Sequence, residues 1–355
     1  MISPTRAIGA LLRSDSDIAV RGGRQDDRTK KLVIHAGGSK TGSSSIQMAL
    51  AENARALKAA GILVPDTNLG TRAAVTGHQV PLFETLRHKP CEGREIVTAR
   101  ITDLFERNSD CHTVLISAEN LGSIGDEPRL FDDVVGRYDT RVIMYIRRQD
   151  EFMLSAWQQW FGKQNTDFWA WLLESAGDYG NWRRMVENWL AALDESRITL
   201  RLFDREHLVD RDVVADFFSL IGPVPQGLKF PRSKANPSYA PALFDMVTGE
   251  KLVFEDEHDS RFFDMVEDLV GSRFHKAARD PELTPAQRRA LLSRYRDSNE
   301  WIRQRFFPEL PAPLFDVHEP PSSVVKPKSR EDVMAEQIRM LAVMMYRLYR
   351  KNNAT

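Results

Sequence analysis

Residues 31–59 constrain the fold of this chain more than any other segment. Leu32-Val33-Ile34 is a short β-type run that leads straight into His35-Ala36-Gly37-Gly38-Ser39-Lys40-Thr41-Gly42. Ser43-Ser44-Ser45-Ile46-Gln47-Met48-Ala49-Leu50 then follows with helical spacing to about Ala59. A strand, a Gly-rich turn and a helix opened by hydroxyl residues is a phosphate-cradling pattern. Glycine lets the backbone curl without Cβ clashes, and the first N–H groups of a helix favour an anion. Lys40 adds a positive charge inside the turn, and Ser43, Ser44 and Ser45 add hydroxyls. Glycines alone would also serve a plain βα turn. The lysine and the three hydroxyls are what favour phosphate.

The rest of the chain agrees with an α/β frame. Apolar runs at 113–117 and 141–146 read as strands buried on both faces of a parallel sheet, and 198–203 reads as a fourth strand. Helical patterns fall at about 93–108, 128–136, 149–163 and 213–220. Alternation of this kind predicts α/β, a central parallel sheet flanked by helices. From about 239 the pattern is helical only, with candidates at 240–254, 259–272 and 284–306. The segment 308–327 holds 6 of the 18 prolines and reads as an extended connector. A last helix, about 331–350, sets Met334, Ile338, Leu341, Met345 and Leu348 on one face. Docking on its own domain is the plain use of that face. A homodimer contact is the second, and membrane-surface binding the third.

Composition removes several function classes. The 49 Lys+Arg and 50 Asp+Glu give a net charge of −1, without the basic excess of a chain that coats nucleic acid. Cys91 and Cys111 make no disulfide framework or CxxC pair, and the 8 histidines form no HxxxH or HExxH. No metal is therefore expected. No apolar run reaches the ~20 residues of a membrane span. The first 30 residues carry Arg6, Arg13, Arg21 and Arg24 with no signal-peptide apolar stretch, so they read as a flexible polar arm of a cytoplasmic chain.

The turn departs from a nucleoside-triphosphate loop, whose Lys follows the second Gly and whose hydroxyl holds Mg²⁺. Here Lys40 precedes Gly42 by two residues, and neither later strand ends in the Asp expected of a Mg²⁺ holder. The sequence from His35 through Gln47 resembles the 5′-phosphosulfate loop of the sulfotransferases. Members of that family use 3′-phosphoadenosine 5′-phosphosulfate (PAPS) as donor and release the bisphosphate PAP. Many bacterial members have proline where this chain has Ser39, and threonines at Ser43 and Ser44. The resemblance implies that Gly38, Ser39, Lys40, Thr41, Gly42, Ser43, Ser44 and Ser45 hold the donor, with Lys40 also stabilising the leaving phosphate. It further implies a P-loop nucleotide-kinase-like fold.

A second pattern supports the first. The strand 141–146 ends in Arg147-Arg148-Gln149-Asp150, and Ser155 follows Arg147 by eight residues. The spacing resembles the family's 3′-phosphate motif, an Arg fork at a strand end and a Ser two turns into the next helix. Arg148 is expected to point elsewhere. Weaker likenesses lie at Asn181-Trp182 through Phe203-Asp204, at 234–238, and at 284–315 with Asn299 and Leu314-Phe315. They bound a sulfotransferase domain at 31–316, after an arm at 1–30 and before a connector at 317–330 and a helix at 331–355.

An acceptor hydroxyl needs a base. Glu119, after the strand 113–117, and His78, in the stretch after the first helix, are the two candidates, with Glu119 ranked first. Asn120 is a polar neighbour, and His35 is read as a structural hydrogen bond under the loop. Trp157, Trp160, Trp169, Trp171, Trp182 and Trp189 are 6 of the 7 tryptophans. Core packing is their plain use, and an aromatic wall for acceptor or adenine is the alternative, with Trp160 and Trp169 the most exposed candidates. The sequence thus points to a PAPS-dependent sulfotransferase acting on an alcohol, with a carbohydrate as first acceptor class. An ATP-dependent small-molecule kinase and a non-catalytic sulfotransferase-like binding protein are the rivals.

Overall fold

The structure, a computed structural model, describes residues 29–123, 125–165, 167–174, 177–230, 239–274, 283–317 and 329–353. In chain order the elements are β1 (Lys31–Ala36), α1 (Ser43–Ala59), β2 (Ile62–Leu63), α2 (Val80–Leu86), α3 (Pro90–Arg107), β3 (Thr113–Ala118) and β4 (Asp139–Ile146). They continue with α4 (Gln149–Gln159), α5 (Phe168–Glu174), α6 (Trp182–Leu190), β5 (Ile198–Leu202) and α7 (Val213–Leu220). The last five are α8 (Pro241–Asp245), α9 (Arg261–Val270), α10 (Pro285–Arg294), α11 (Arg296–Phe306) and α12 (Arg330–Asn352). The described residues separate into two compact units. One lies within 1–147, 181–233 and 301–308, and the other within 148–180, 234–300 and 309–355.

The first unit is built on a five-stranded sheet in the order β2-β3-β1-β4-β5, parallel throughout and flanked by helices. This is the α/β architecture expected of a P-loop nucleotide-kinase-like chain. β3 is buried at every position and β1 at all but Lys31, as continuous apolar strands require. One core cluster joins Ile46, Leu50 and Leu57 of α1 to Val33, Leu115, Ile143 and Phe217. The chain lays β2 and β3 on one side of β1, then β4 and β5 on the other. The C-terminal end of β1 is therefore a topological switch point, where open α/β sheets bind ligands.

The second unit is helical, and it contributes no strand to that sheet. Its core gathers Ala240, Leu243, Val266, Phe274, Met340 and Met344. Asp150 of α4 is fully buried and is held by Arg148 and by Arg288 of α10. Gln149 and Asn299 exchange two amide hydrogen bonds, of 2.7 and 3.0 Å.

Several predicted helices are shorter than their patterns suggest. At 128–136 there is only a 3-10 turn, Glu127–Phe131. The 240–254 pattern yields α8 alone, and Gly249, at φ +68°, lies in the turns that follow. The 284–306 pattern breaks at Tyr295, where ψ rises to 11°. β2, two residues long, has too little sequence to be predicted. The arm at 1–28, the 234–238 likeness and the connector at 318–328 lie outside the described residues. Among the described residues, no helix is long and apolar enough to cross a membrane.

Candidate functional site

Three adjacent strands deliver the first unit's candidate residues to one sheet end. Ala36 of β1 lies opposite Ala118 of β3, so the loop 37–42 and Glu119 leave the sheet side by side. His35 lies opposite Ile143 of β4, and Arg147 follows that strand's last residue.

The loop is shaped from within. The Thr41 hydroxyl donates to the Gly38 carbonyl at 2.6 Å, and the Ser43 hydroxyl to the same oxygen at 2.7 Å. Two of the expected hydroxyl donors are thus used on the loop itself. Ser44 is exposed and Ser45 half-buried at the start of α1. Gly42 takes φ +84°, and a Cβ there would lie 2.8 Å from Phe203, so both conformation and space call for glycine. Lys40 is also left-handed, at φ +60°. For a lysine that conformation costs about 1–3 kcal/mol, and such strain gathers at functional sites.

Side-chain caps close some helix starts and leave others open, α1 among them together with α2, α3, α4, α8 and α9. Asn181 caps α6 and Asp212 caps α7, while Thr284 and Ser329 form capping boxes on α10 and α12. Helix α1 starts at Gly42 with no side-chain cap. Its first N–H groups have no intrahelical acceptor, and no side chain of the cap position supplies one.

Charge converges on this turn. Burial lowers the pKa of Lys40 from 10.5 to about 8; nearby Arg147 lowers it further, and Glu119 opposes them. Burial likewise raises Glu119 above its ordinary value, against the pull of Lys40 and of the neighbouring Ser43 side chain. Arg147 donates to the Lys40 carbonyl at 3.3 Å, and its guanidinium lies over the Phe203 ring. The result is two cations and one carboxylate at the end of a buried sheet, a surplus of positive charge suited to an anion.

His35 is fully buried beneath the loop, with Nδ1 2.8 Å from the Ser117 hydroxyl. Burial takes its pKa down to about 3, so the ring is neutral in ordinary buffers. His78 is half-buried at the same sheet end. Its neighbour Gln79 exchanges hydrogen bonds with the backbone of Ser117 in β3, and Gly77 packs against the Gln47 backbone of α1. Ser155 is half-buried on the second turn of α4, in the second unit. Arg148 does point elsewhere: its guanidinium binds Asp150 at 2.7 and 3.1 Å.

Trp182 and Trp189, read from the sequence as core packing with an aromatic wall as the alternative, instead hydrogen-bond backbone beside the site. Trp182 and Trp189 lie two turns apart on one face of α6. The Trp182 indole donates to the Arg147 carbonyl at 2.9 Å, and the Trp189 indole to the Leu121 carbonyl at 3.0 Å. One helix face therefore anchors the backbone at both Arg147 and the turn that begins with Glu119. Their i, i+7 spacing was a usable signal of a shared face; the two acceptors were not readable. Trp157 and Trp171 pack in the second unit with ring centroids 5.5 Å apart, whereas Trp160 and Trp169 are half-buried. Among the described residues, no group of three His, Cys, Asp or Glu could hold a metal ion.

Neither a protein-family model nor a curated protein matches this chain. Among solved structures it is similar to a sulfotransferase from Alicyclobacillus acidocaldarius, at 14% identity and a TM-score of 0.40, over 80% of this chain and 96% of that one. It is also similar to a protein of the PezAT toxin–antitoxin system of Streptococcus pneumoniae, at 13% identity and a TM-score of 0.25, over 59% of this chain and 78% of that one. The chemistry of the site is read from its own side chains.

Proposed function

We propose that this chain is a sulfotransferase that moves a sulfuryl group from PAPS to an acceptor hydroxyl. The observation that carries the reading is the convergence of Lys40, Arg147 and Glu119 at the ends of three adjacent strands, with Lys40 depressed to about 8 by burial and by Arg147. A half-buried, mutually repelling pair of cations is stabilised by a polyanion and has little use for a neutral ligand. The uncapped start of α1 adds oriented N–H groups to the same place.

Each residue then has a chemical task. Glu119, its carboxylate made more basic by burial, takes the proton of the acceptor hydroxyl; His78 is the second candidate for this role. The acceptor oxygen forms a bond to sulfur as the bond from sulfur to the bridging phosphate oxygen breaks. The electron pair of that bond ends on the phosphate. Lys40 holds the charge that builds there, a contribution worth ~10²–10³-fold in rate. Gly38 through Ser45 hold the 5′-phosphate. Arg147 is assigned the 3′-phosphate. The products are a sulfate ester and PAP. An alcohol, with a carbohydrate first, is the proposed acceptor.

The test is calorimetric binding of adenosine 3′,5′-bisphosphate against ATP–Mg²⁺, followed by a radiolabelled-donor screen over sugar, lipid and phenol acceptors. Tight binding of the bisphosphate and labelled product are expected. Binding of ATP–Mg²⁺ alone would establish a kinase instead. Bisphosphate binding with no labelled product on any acceptor class would leave a non-catalytic binding protein.

A further inference from the structure

Helix α12 carries two apolar faces. One holds Val333, Met340 and Met344, which pack into the core of the second unit, and Gln337, which donates to the Ala242 carbonyl at 3.1 Å. The other holds Met334, Ile338, Leu341, Met345 and Leu348, which are 45 to 70% exposed. Of 13 exposed large hydrophobic side chains among the described residues, 7 lie on this one helix. Such concentration marks an interaction surface.

The spacing of the exposed face specifies the kind of partner. Its steps of 4, 3, 4 and 3 residues are a strict 3.5-residue repeat, the seam of a helix that pairs with another helix. Over 14 residues the seam runs about 21 Å. Ala335 and Ala342 recur beside it at a seven-residue interval, and their small side chains permit close approach. The Ser329–Asp332 capping box fixes the helix start.

The charges specify the partner itself. Glu331, Asp332 and Glu336 outnumber Arg330 in the first two turns, Arg339 lies mid-helix, and Arg347, Arg350 and Lys351 lie in the last two turns. Two copies set side by side in parallel would oppose like charges at both ends. Set antiparallel about a two-fold axis, each acidic end meets the other copy's basic end. A helix that lies on anionic lipid carries its basic residues along the polar face. Here three of the five basic residues cluster at one end, and acids outnumber Arg330 at the other.

We propose that α12 is a homodimerisation helix that pairs antiparallel with α12 of a second copy of this chain. This association is independent of the sulfuryl-transfer reading, and neither result decides the other.

The test is sedimentation equilibrium of the full chain and of three variants. The wild type is expected to dimerise. Leu341→Glu, which sets a charge in the seam, is expected to weaken dimerisation by at least ~10²-fold, the effect of roughly 3 kcal/mol. The triple variant Glu331→Lys, Asp332→Lys, Glu336→Lys is expected to be monomeric. Adding Arg347→Glu, Arg350→Glu and Lys351→Glu to it should restore the dimer. Because Leu341 is exposed, circular dichroism and Tm of the Leu341→Glu monomer should stay unchanged. Orientation is read by disulfide trapping: Met334→Cys mixed with Leu348→Cys should cross-link, and Met334→Cys alone should not. A monomeric wild type overturns the proposal. So does a dimer indifferent to Leu341→Glu, or one that traps Met334→Cys with itself. A wild type that stays monomeric and cosediments with phosphatidylcholine–phosphatidylserine vesicles would assign the face to lipid. A seam that becomes free to dimerise only after deletion of 1–28 would assign it to the chain's own arm.

Discussion

Lys40 is a half-buried cation facing another cation, and its two properties separate stability from activity. Its folded pKa, about 8, lies below the ordinary 10.5, so the unfolded chain binds more protons between those values. Stability therefore rises with pH from about 8 to 10.5, and the full penalty is present below 8. Lys40→Met is expected to raise the ligand-free Tm at pH 7, with the gain shrinking as pH climbs through that window. The same variant should lose ~10²–10³-fold in transfer rate, since the leaving phosphate loses its cation. Scanning calorimetry across pH together with single-turnover rates checks both halves. A variant no more stable than wild type would remove the buried-cation argument.

Glu119 completes the residue-scale picture. If it is the base, the rate rises as its carboxyl ionises, at a pH above the ordinary carboxylate range because burial raises it. The rate falls again as Lys40 loses its proton near 8. A bell-shaped profile is expected, and Glu119→Gln should flatten the acidic limb while leaving the alkaline one. An unchanged acidic limb in that variant would pass the base role to His78.

Helix α6 is the element whose loss should be felt at a distance. Trp182→Phe removes the donor to the Arg147 carbonyl and leaves that oxygen short of a partner, a cost of about 1–3 kcal/mol. With Arg147 on the 3′-phosphate, the expected signature is a raised donor KM and a kcat close to wild type. Trp189→Phe acts through Leu121 on the turn carrying Glu119, so its signature is a lowered kcat. Steady-state kinetics of the two variants distinguish these roles from a shared loss of packing, which would move both alike. Gly122 is a third element-scale test. A Cβ there would sit 2.6 Å from the Gly38 nitrogen and 2.7 Å from the Ala36 carbonyl oxygen, both backbone atoms. Gly122→Ala is expected to cost about 1–3 kcal/mol and to weaken bisphosphate binding, read by a thermal shift.

What the sequence disclosed follows from how local each signal is. Strands β1, β3 and β4 were legible because buried parallel strands are continuous apolar runs, and β5 because its apolar residues alternate at the sheet edge. The loop was legible because its glycines and Lys40 sit together in sequence. Gly122, Trp182 and Trp189 were not, because their reasons lie in backbone atoms 35 to 86 residues away. Helices past residue 239 were overextended because an apolar spacing persists through Tyr295 and past Asp245, where the backbone turns.

For the whole molecule, the two compact units make a single Tm an incomplete description. The loop, Arg147 and Glu119 all belong to the first unit. Adenosine 3′,5′-bisphosphate at 100 times its Kd should therefore add about 2.7 kcal/mol to the transition that Lys40→Met also moves. Calorimetry in which the ligand shifts only the other transition would displace the site from the sheet end. Net charge of −1 concealed this arrangement, because the cations are local and the acids that balance them lie elsewhere.

The left-handed backbone at Lys40 also shapes how such a site can decay. Most side chains placed there would keep the strain and lose the ammonium, so they offer little to a drifting lineage. Glycine relieves the strain at once, and asparagine tolerates the conformation better than most. Where Lys40 serves the proposed sulfuryl transfer, those two substitutions are the gentle exits from it. A descendant that took either one would retain the sheet, Arg147 and the uncapped helix. It would persist as a folded binder of the bisphosphate, recognisable by the single residue at position 40.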